Sequence, residues 1–312
     1  MTADDCQTVD TASRSLCHSI MELMTRIDIP ESEWQVEAGA RVLLVGSCFA
    51  DEVGQRMSAG GLQAMVNPFG TLYNPASIAA SLLRSISERE YGADAVELLK
   101  GEADGAWHSW MHHSRFSSAD KDELLAKMNG AIHEVADFLR EADVLVVTLG
   151  TAIIYRLAES GMLVANCHKQ PDRLFVRECM TAYDIADQWT MLLRLLQSVN
   201  PRLKVIFTVS PIRHKRDGYH ANQVSKGVLL QAVDALVQAF PAVCSYFPAY
   251  EIMMDELRDY RFYAADMIHP SEVAVEYIWQ RFQDTYFDNK TKDAVAKASK
   301  EWRRGQHRMI VR

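Results

Sequence analysis

Arg41-Val42-Leu43-Leu44-Val45-Gly46-Ser47-Cys48-Phe49-Ala50 decides how the rest of this chain is read. Four apolar residues run without alternation and stop at a glycine. That is the pattern of a strand buried on both faces, which occurs in parallel sheets covered by helices. A helical stretch near 50–58 follows at once, so Ser47 and Cys48 fall in a strand-to-helix turn. A nucleophile in such a turn has neighbouring backbone N–H groups and the positive end of a helix beside it. These stabilise an oxyanion or lower a thiol pKa.

The same pattern recurs outward from this stretch. Asp143–Leu149 runs into Gly150, and Leu203–Ser210 runs into Pro211. Shorter runs at Gln63–Val66 and Val243–Phe247 complete five predicted strands. Helical spacing fills 76–88, 119–141, 182–198, 221–239 and 271–286, with apolar residues three to four apart at Ala131, Val135, Phe138 and Leu139. Strands alternating with helices predict an α/β fold with a doubly wound, flavodoxin-like parallel sheet of five strands. Its ligand crevice lies beyond the carboxyl ends of the strands. Two insertions are expected to wall it: residues 90–118, and residues 152–170, read as a hairpin of Ile153–Leu157 and Met162–Asn166.

Bulk properties narrow the function. The 312 residues are 48% hydrophobic and carry a net charge of −8, which argues against affinity for nucleic acid or anionic membranes. No apolar run is long enough to span a bilayer. Residues 1–22 lack the pattern of a signal peptide and are expected to be a disordered extension ahead of one domain over 23–288. Cys6, Cys17, Cys48, Cys167, Cys179 and Cys244 show no CxxC spacing, so reduced thiols and a cytoplasmic setting are expected. The stretch 289–312 is basic, through Lys297, Lys300, Arg303, Arg304, Arg308 and Arg312, and reads as a solvated helix or tail.

Before the last predicted helix stands Asp266-Met267-Ile268-His269-Pro270, with Pro270 suited to a first helical position. A carboxylate three residues before a histidine can fix the imidazole tautomer while the other ring nitrogen takes a proton from a nucleophile. His108, His112 and His113 invite a metal reading, but no carboxylate or thiolate stands nearby at matching spacing, so neither metal nor other cofactor is expected. The alternative for Cys48 is plain packing, since free cysteine is often buried.

A strand-end Gly-x-Cys near the start, combined with Asp-x-x-His near the end, resembles the SGNH (GDSL-like) hydrolases. Gly46-Ser47-Cys48-Phe49-Ala50 matches the motif that names the GSCFA family. Other stretches that resemble that family are Asn67–Pro75, Trp107–Trp110, Ala165–Lys169, Thr208–His214 and Asp259–Tyr263. The resemblance implies a three-layer αβα fold with inserted loops. A gap-free register puts Cys48 at the nucleophile position and Ser47 in the variable place, with His269 and Asp266 completing the catalytic set. It implies an oxyanion hole from the N–H groups of Cys48 and Gly70. Gly150-Thr151-Ala152 departs from the Gly-x-Asn of that superfamily, so the side-chain donor has to come from elsewhere. Thr151, Asn74 and His108 are the candidates. Asn74, Trp107, His108, His112, His168 and Arg213 are the expected substrate contacts. The implied activity is hydrolysis of a small-molecule or saccharide ester, such as an acetyl ester of a carbohydrate-like compound. An O-acyltransferase on the same residues and a non-catalytic carbohydrate-binding protein are the alternatives.

Overall fold

The structure, a computed structural model, describes residues 24–102 and 104–310, with side chains described as far as Gly305. The expected extension over 1–22 lies outside the described residues. Five strands form one parallel sheet: β1 (Arg41–Gly46), β2 (Gln63–Val66), β3 (Val144–Leu149), β4 (Lys204–Val209) and β5 (Cys244–Phe247). Their order across the sheet is β2-β1-β3-β4-β5. The register pairs Arg41 with Gln63, Val42 with Val144, Val144 with Lys204, and Val205 with Cys244.

The apolar runs are continuous because both faces are covered. Leu43, Val45, Leu145, Val147, Val205 and Phe207 pack into one core, beneath α2 (Pro75–Ile86), α3 (Lys121–Glu141), α4 (Ala182–Val199) and α5 (Tyr219–Ala239). Val42, Leu44, Val144, Val146 and Ile206 face the other way. They meet α1 (Cys48–Ala59) and α6 (Glu272–Tyr286) through Phe49, Val53, Met57, Ile278, Trp279 and Phe282. Leu43 and Leu44 are both fully buried, each contributing roughly 1.5–3 kcal/mol through that burial. This is the expected three-layer αβα arrangement. The chain leaves β1 toward one face, leaves β2 toward the other, and so makes a topological switch between the neighbours β1 and β3. In sheets of this kind ligands bind beyond the carboxyl ends of the strands at such a point.

The helix after the Asp-x-x-His loop starts at Glu272, so Pro270 stands before it and not at its expected first position. Ser271 directly precedes it, with its hydroxyl accepting from the Ala274 N–H. The basic C-terminal stretch forms α7 (Asn289–Ile310). It is docked rather than fully solvated, since Thr291 and Val295 are buried. The first insertion is a ribbon of Leu98–Lys100 with Trp107–Ser109. The second holds the expected hairpin plus a third strand, Phe175–Cys179, that pairs with Ile153–Leu157. Among the described residues, no helix is long and apolar enough to cross a membrane.

Candidate active site

Gly46 ends β1 with φ +138°, and a Cβ there would fall 2.1 Å from the Thr148 carbonyl oxygen on β3. Only glycine lets the two strand ends approach so closely. Its N–H donates to Asn67 Oδ1 at 2.9 Å, while Asn67 Nδ2 donates to Asp51 Oδ1 at 2.9 Å. Asn67 therefore ties the end of β1 to the first turn of α1. Ser47 follows in extended conformation, its N–H donating to Thr148 O at 3.0 Å. Its side chain is buried and makes no hydrogen bond. Cys48 is the first residue of α1, so its N–H has no partner within the helix. Its side chain is half-buried and faces the open side.

Across from it, Asp266 and His269 share one loop. Asp266 Oδ1 accepts from the N–H groups of Ile268 at 2.8 Å and His269 at 3.0 Å, and Met267 between them has φ +58°. Asp266 Oδ2 lies 2.6 Å from His269 Nδ1, and His269 Nε2 lies 3.6 Å from Cys48 Sγ. The three side chains form a relay across 218 residues of sequence, from Cys48 to Asp266. The His269 N–H, its imidazole and the Ile268 N–H hold the Asp266 carboxyl down to about 2, so it is an anion at neutral pH. The expectation of a lowered Cys48 pKa fails. Burial pushes the thiol up to about 11; Asp51 and Glu52 add to the rise, against its own N–H and Lys226. Desolvation of the charged form outweighs the helix terminus here.

Two residues complete the setting. Lys226 of α5 is fully buried, and its Nζ donates to Gly150 O at 2.7 Å and to Ser210 O at 2.6 Å, joining the ends of β3 and β4. Burial brings its pKa down to about 7. His214 stands beside the Gly150 backbone, with Nε2 3.1 Å from where a Cβ on that glycine would lie. That nitrogen is buried without a hydrogen-bond partner. Burial first, then Lys226 and His269, lower His214 to about 4, which makes it a neutral imidazole at pH 7.

The expected oxyanion donors fare differently. The Gly70 N–H is engaged in a 2.7 Å bond to Asn67 O. Thr151 Oγ1 sits 3.0 Å from Ser225 Oγ and accepts from the Ile153 N–H. Asn74 caps α2 by accepting from the Ser77 N–H at 2.8 Å.

Cys48 and His269 line a cavity of about 620 Å³ whose walls come from α1, α6 and α7. Asn74, Trp107, His108, His112 and His168 are not among its lining residues, nor is any other described residue of the two insertions. His108 bonds Ser117 Oγ at 2.6 Å, and His112 bonds Ser109 Oγ at 2.9 Å while burial takes its pKa to about 3. His168 reaches Ser109 O at 2.7 Å and packs against the His108 ring, 4.7 Å between centroids. These histidines tie the two insertions to each other. His108 and His112 lie on a strand and a turn, not on one helix face. Among the described residues no three His, Cys, Asp or Glu side chains gather to hold a metal ion. Trp107 is half-buried with Lys121 Nζ 4.8 Å from its ring. Arg213 steadies the 266–269 loop, donating its N–H to Ile268 O and Nη1 to Met267 O, both at 3.2 Å. It lines a separate cavity of about 200 Å³ with Tyr250 and Tyr263.

Of these two, Lys226 is the residue that periodicity and spacing did not single out, whereas His214 follows the run 203–210 and is expected near the crevice mouth. His214 lies inside the Thr208–His214 motif; Lys226 carries no such signal.

Several solved structures are similar to this chain. A putative platelet activating factor from Streptococcus pneumonia is 10% identical, covering 80% of this chain and 84% of its own, with a TM-score of 0.40. An acetyl esterase mutant with acetate ion is 12% identical over 83% of this chain and 99% of its own, TM-score 0.39. A carbohydrate esterase family 2 enzyme plus carbohydrate binding domain from Corynascus thermopiles (Myceliophthora fergusii) is 13% identical over 88% and 68%, TM-score 0.39. No curated protein matches the sequence. The GSCFA family matches residues 41–282, from the first residue of β1 into α6. With the Gly46–Ala50 motif at the end of β1, this chain belongs to the GSCFA family.

Proposed function

We propose that this protein hydrolyses an ester of a small acyl group, with Cys48 as nucleophile, His269 as general base and acid, and Asp266 as its orienting anion. The observation that carries the reading is the continuous contact from Asp266 Oδ2 through the His269 ring to Cys48 Sγ, opening on the cavity walled by α1, α6 and α7. Because burial keeps the thiol protonated, attack is assisted rather than spontaneous. Sγ bonds to the ester carbonyl carbon while its proton passes to His269 Nε2. The tetrahedral oxyanion collapses, the alcohol oxygen leaves with that proton, and a thioester remains on Cys48. Water, giving a proton to the same Nε2, then attacks the thioester, and the acid departs as the thiol is restored.

The oxyanion falls to the N–H at the start of α1 and, in this reading, to His214. Its unpartnered Nε2 beside Gly150 takes the role of the missing asparagine amide, and a neutral ring supplies an N–H there. Burial of Ser47 favours Cys48 over its neighbour.

The test is hydrolysis of ethyl acetate and p-nitrophenyl acetate by the full chain and five variants. Cys48→Ala and His269→Ala lose roughly 10²–10⁴ in kcat. His214→Phe loses about 10²–10³ with KM little changed, and His214→Gln, which keeps a donor, recovers part of that. Ser47→Ala retains most activity. Turnover by Cys48→Ala within tenfold of the wild type, with Ser47→Ala inactive, overturns the assignment.

A further inference from the structure

The third wall of the active-site cavity lies beyond the region matched by the family. The match ends at residue 282, whereas Ser299, Trp302 and Arg303 of α7 line the cavity that holds Cys48 and His269. This helix is seated on the end of α1 by two glycines. A Cβ on Gly60 would lie 2.8 Å from Val295 Cγ1, and one on Gly61 would lie 3.4 Å from Ala298 Cβ. Thr291, Val295, Ala298 and Trp302 recur three to four residues apart, so they form one stripe of the helix. Thr291 and Val295 are 3% exposed; Trp302, on the same stripe, is 53% exposed. Where the stripe has a partner it is buried, and where it overhangs the cavity an indole is left open.

The charges around that indole select a class of ligand. Glu52, Glu272 and Glu276 face Arg56 and Arg303 in the lining. Arg56 is already paired, at 3.2 Å to Glu52 and 3.3 Å to Glu276. Carboxylates therefore outnumber the cations, which disfavours an anionic ligand. What suits an exposed aromatic face ringed by hydrogen-bond acceptors is a neutral ring with one apolar face and a rim of hydroxyl donors. We infer that Trp302 is the stacking platform for a neutral sugar ring, the alcohol portion of the ester, so that α7 sets substrate preference from outside the family core. This inference rests on the esterase reading for the word ester, but not for the binding.

Two arms separate the two ideas. In the first, O-acetylated methyl glycosides of glucose, xylose and N-acetylglucosamine are titrated calorimetrically into Cys48→Ala, which removes turnover. At least one binds with Kd below about 10 mM, and adding Trp302→Ala weakens it by about tenfold, while Trp302→Phe weakens it less. In the second arm, Trp302→Ala in the otherwise native chain shifts the preference for those acetyl glycosides over ethyl acetate, measured as the ratio of kcat/KM, by about tenfold, mostly through KM. Absence of binding by all three glycosides overturns the inference. So does equal affinity with and without Trp302. Binding that depends on Trp302 without any turnover by the native chain would leave this platform standing and sink the esterase reading instead.

Discussion

A thiol held at about 11 and a thiol activated at rest behave oppositely toward a small disulfide-type reagent, and the difference is large enough to measure. At pH 7 a group with pKa 11 is about 10⁻⁴ thiolate, against about 10⁻² for a thiol at the ordinary value of 9.0. The rarer thiolate is intrinsically more nucleophilic; with a Brønsted slope of about 0.4–0.5, two pKa units return a factor of roughly ten. The net expectation is that methyl methanethiosulfonate labels Cys48 about tenfold more slowly than a free thiol with the ordinary pKa. The rate should rise about tenfold per pH unit up to about pH 10, one unit short of the thiol at about 11. Mass spectrometry of digested protein, quenched at intervals, reads each cysteine separately. His269→Ala should change this rate by less than about threefold, because no thiolate–imidazolium pair exists at rest to be lost. Labelling of Cys48 tenfold faster than the free thiol, flat from pH 6 to 8 and abolished in His269→Ala, would refute the reasoning and require a preformed ion pair.

Two further outcomes follow from the strand ends. Gly46→Ala places a methyl group 2.1 Å from the Thr148 carbonyl at φ +138° and is expected to cost at least about 2 kcal/mol in urea unfolding; a loss below 0.5 kcal/mol on that order-of-magnitude scale would show that β1 and β3 separate readily. Lys226 has its folded pKa lowered to about 7 from 10.5, so above pH 7 the unfolded chain binds more protons at this site and its contribution to stability rises with pH toward 10.5. The Lys226→Met variant should lack that component, so the difference in Tm between it and the native chain, followed from pH 6.5 to 9, moves in favour of the native chain; a difference independent of pH would mean that Lys226 is charged throughout.

How much of this was legible beforehand varies with what fixes each feature. The five sheet strands showed because their burial is two-sided and so leaves unbroken runs such as Val42–Val45. Phe175–Cys179 did not, since Val176, Arg177, Glu178 and Cys179 are exposed and the strand is defined only by its pairing with Ile153–Leu157. The approach of Cys48, His269 and Asp266 was readable because parallel topology sends the ends of β1 and the last loop to one edge. The insertions were misplaced for a related reason. Their histidines look like site residues by type, yet they bond to Ser109 and Ser117 within the insertions themselves. Lysine ordinarily seeks water, so the burial of Lys226 has no local signature; it depends on two carbonyls, 76 and 16 residues away. Trp302 lies on a stripe whose meaning depends on Gly60 and Gly61, which no helical periodicity reports.

Asn67 gives the candidate site an uneven mechanical character. Its N–H donates to Leu44 O, its carbonyl accepts from Gly70 and Arg115, its Oδ1 from Gly46, and its Nδ2 donates to Asp51. All of its polar groups are engaged, in a residue that is 1% exposed. The turn bearing Cys48 is thus anchored like a fixed jaw. The opposing jaw, the 266–269 loop, is exposed and held chiefly by its own internal bonds and by Arg213. On the proposed mechanism, closing the 3.6 Å gap between His269 Nε2 and Cys48 Sγ therefore falls to the histidine side. The proposed proton transfer would then confine reorganisation to a few solvent-facing atoms, while the sulfur stays where the sheet put it.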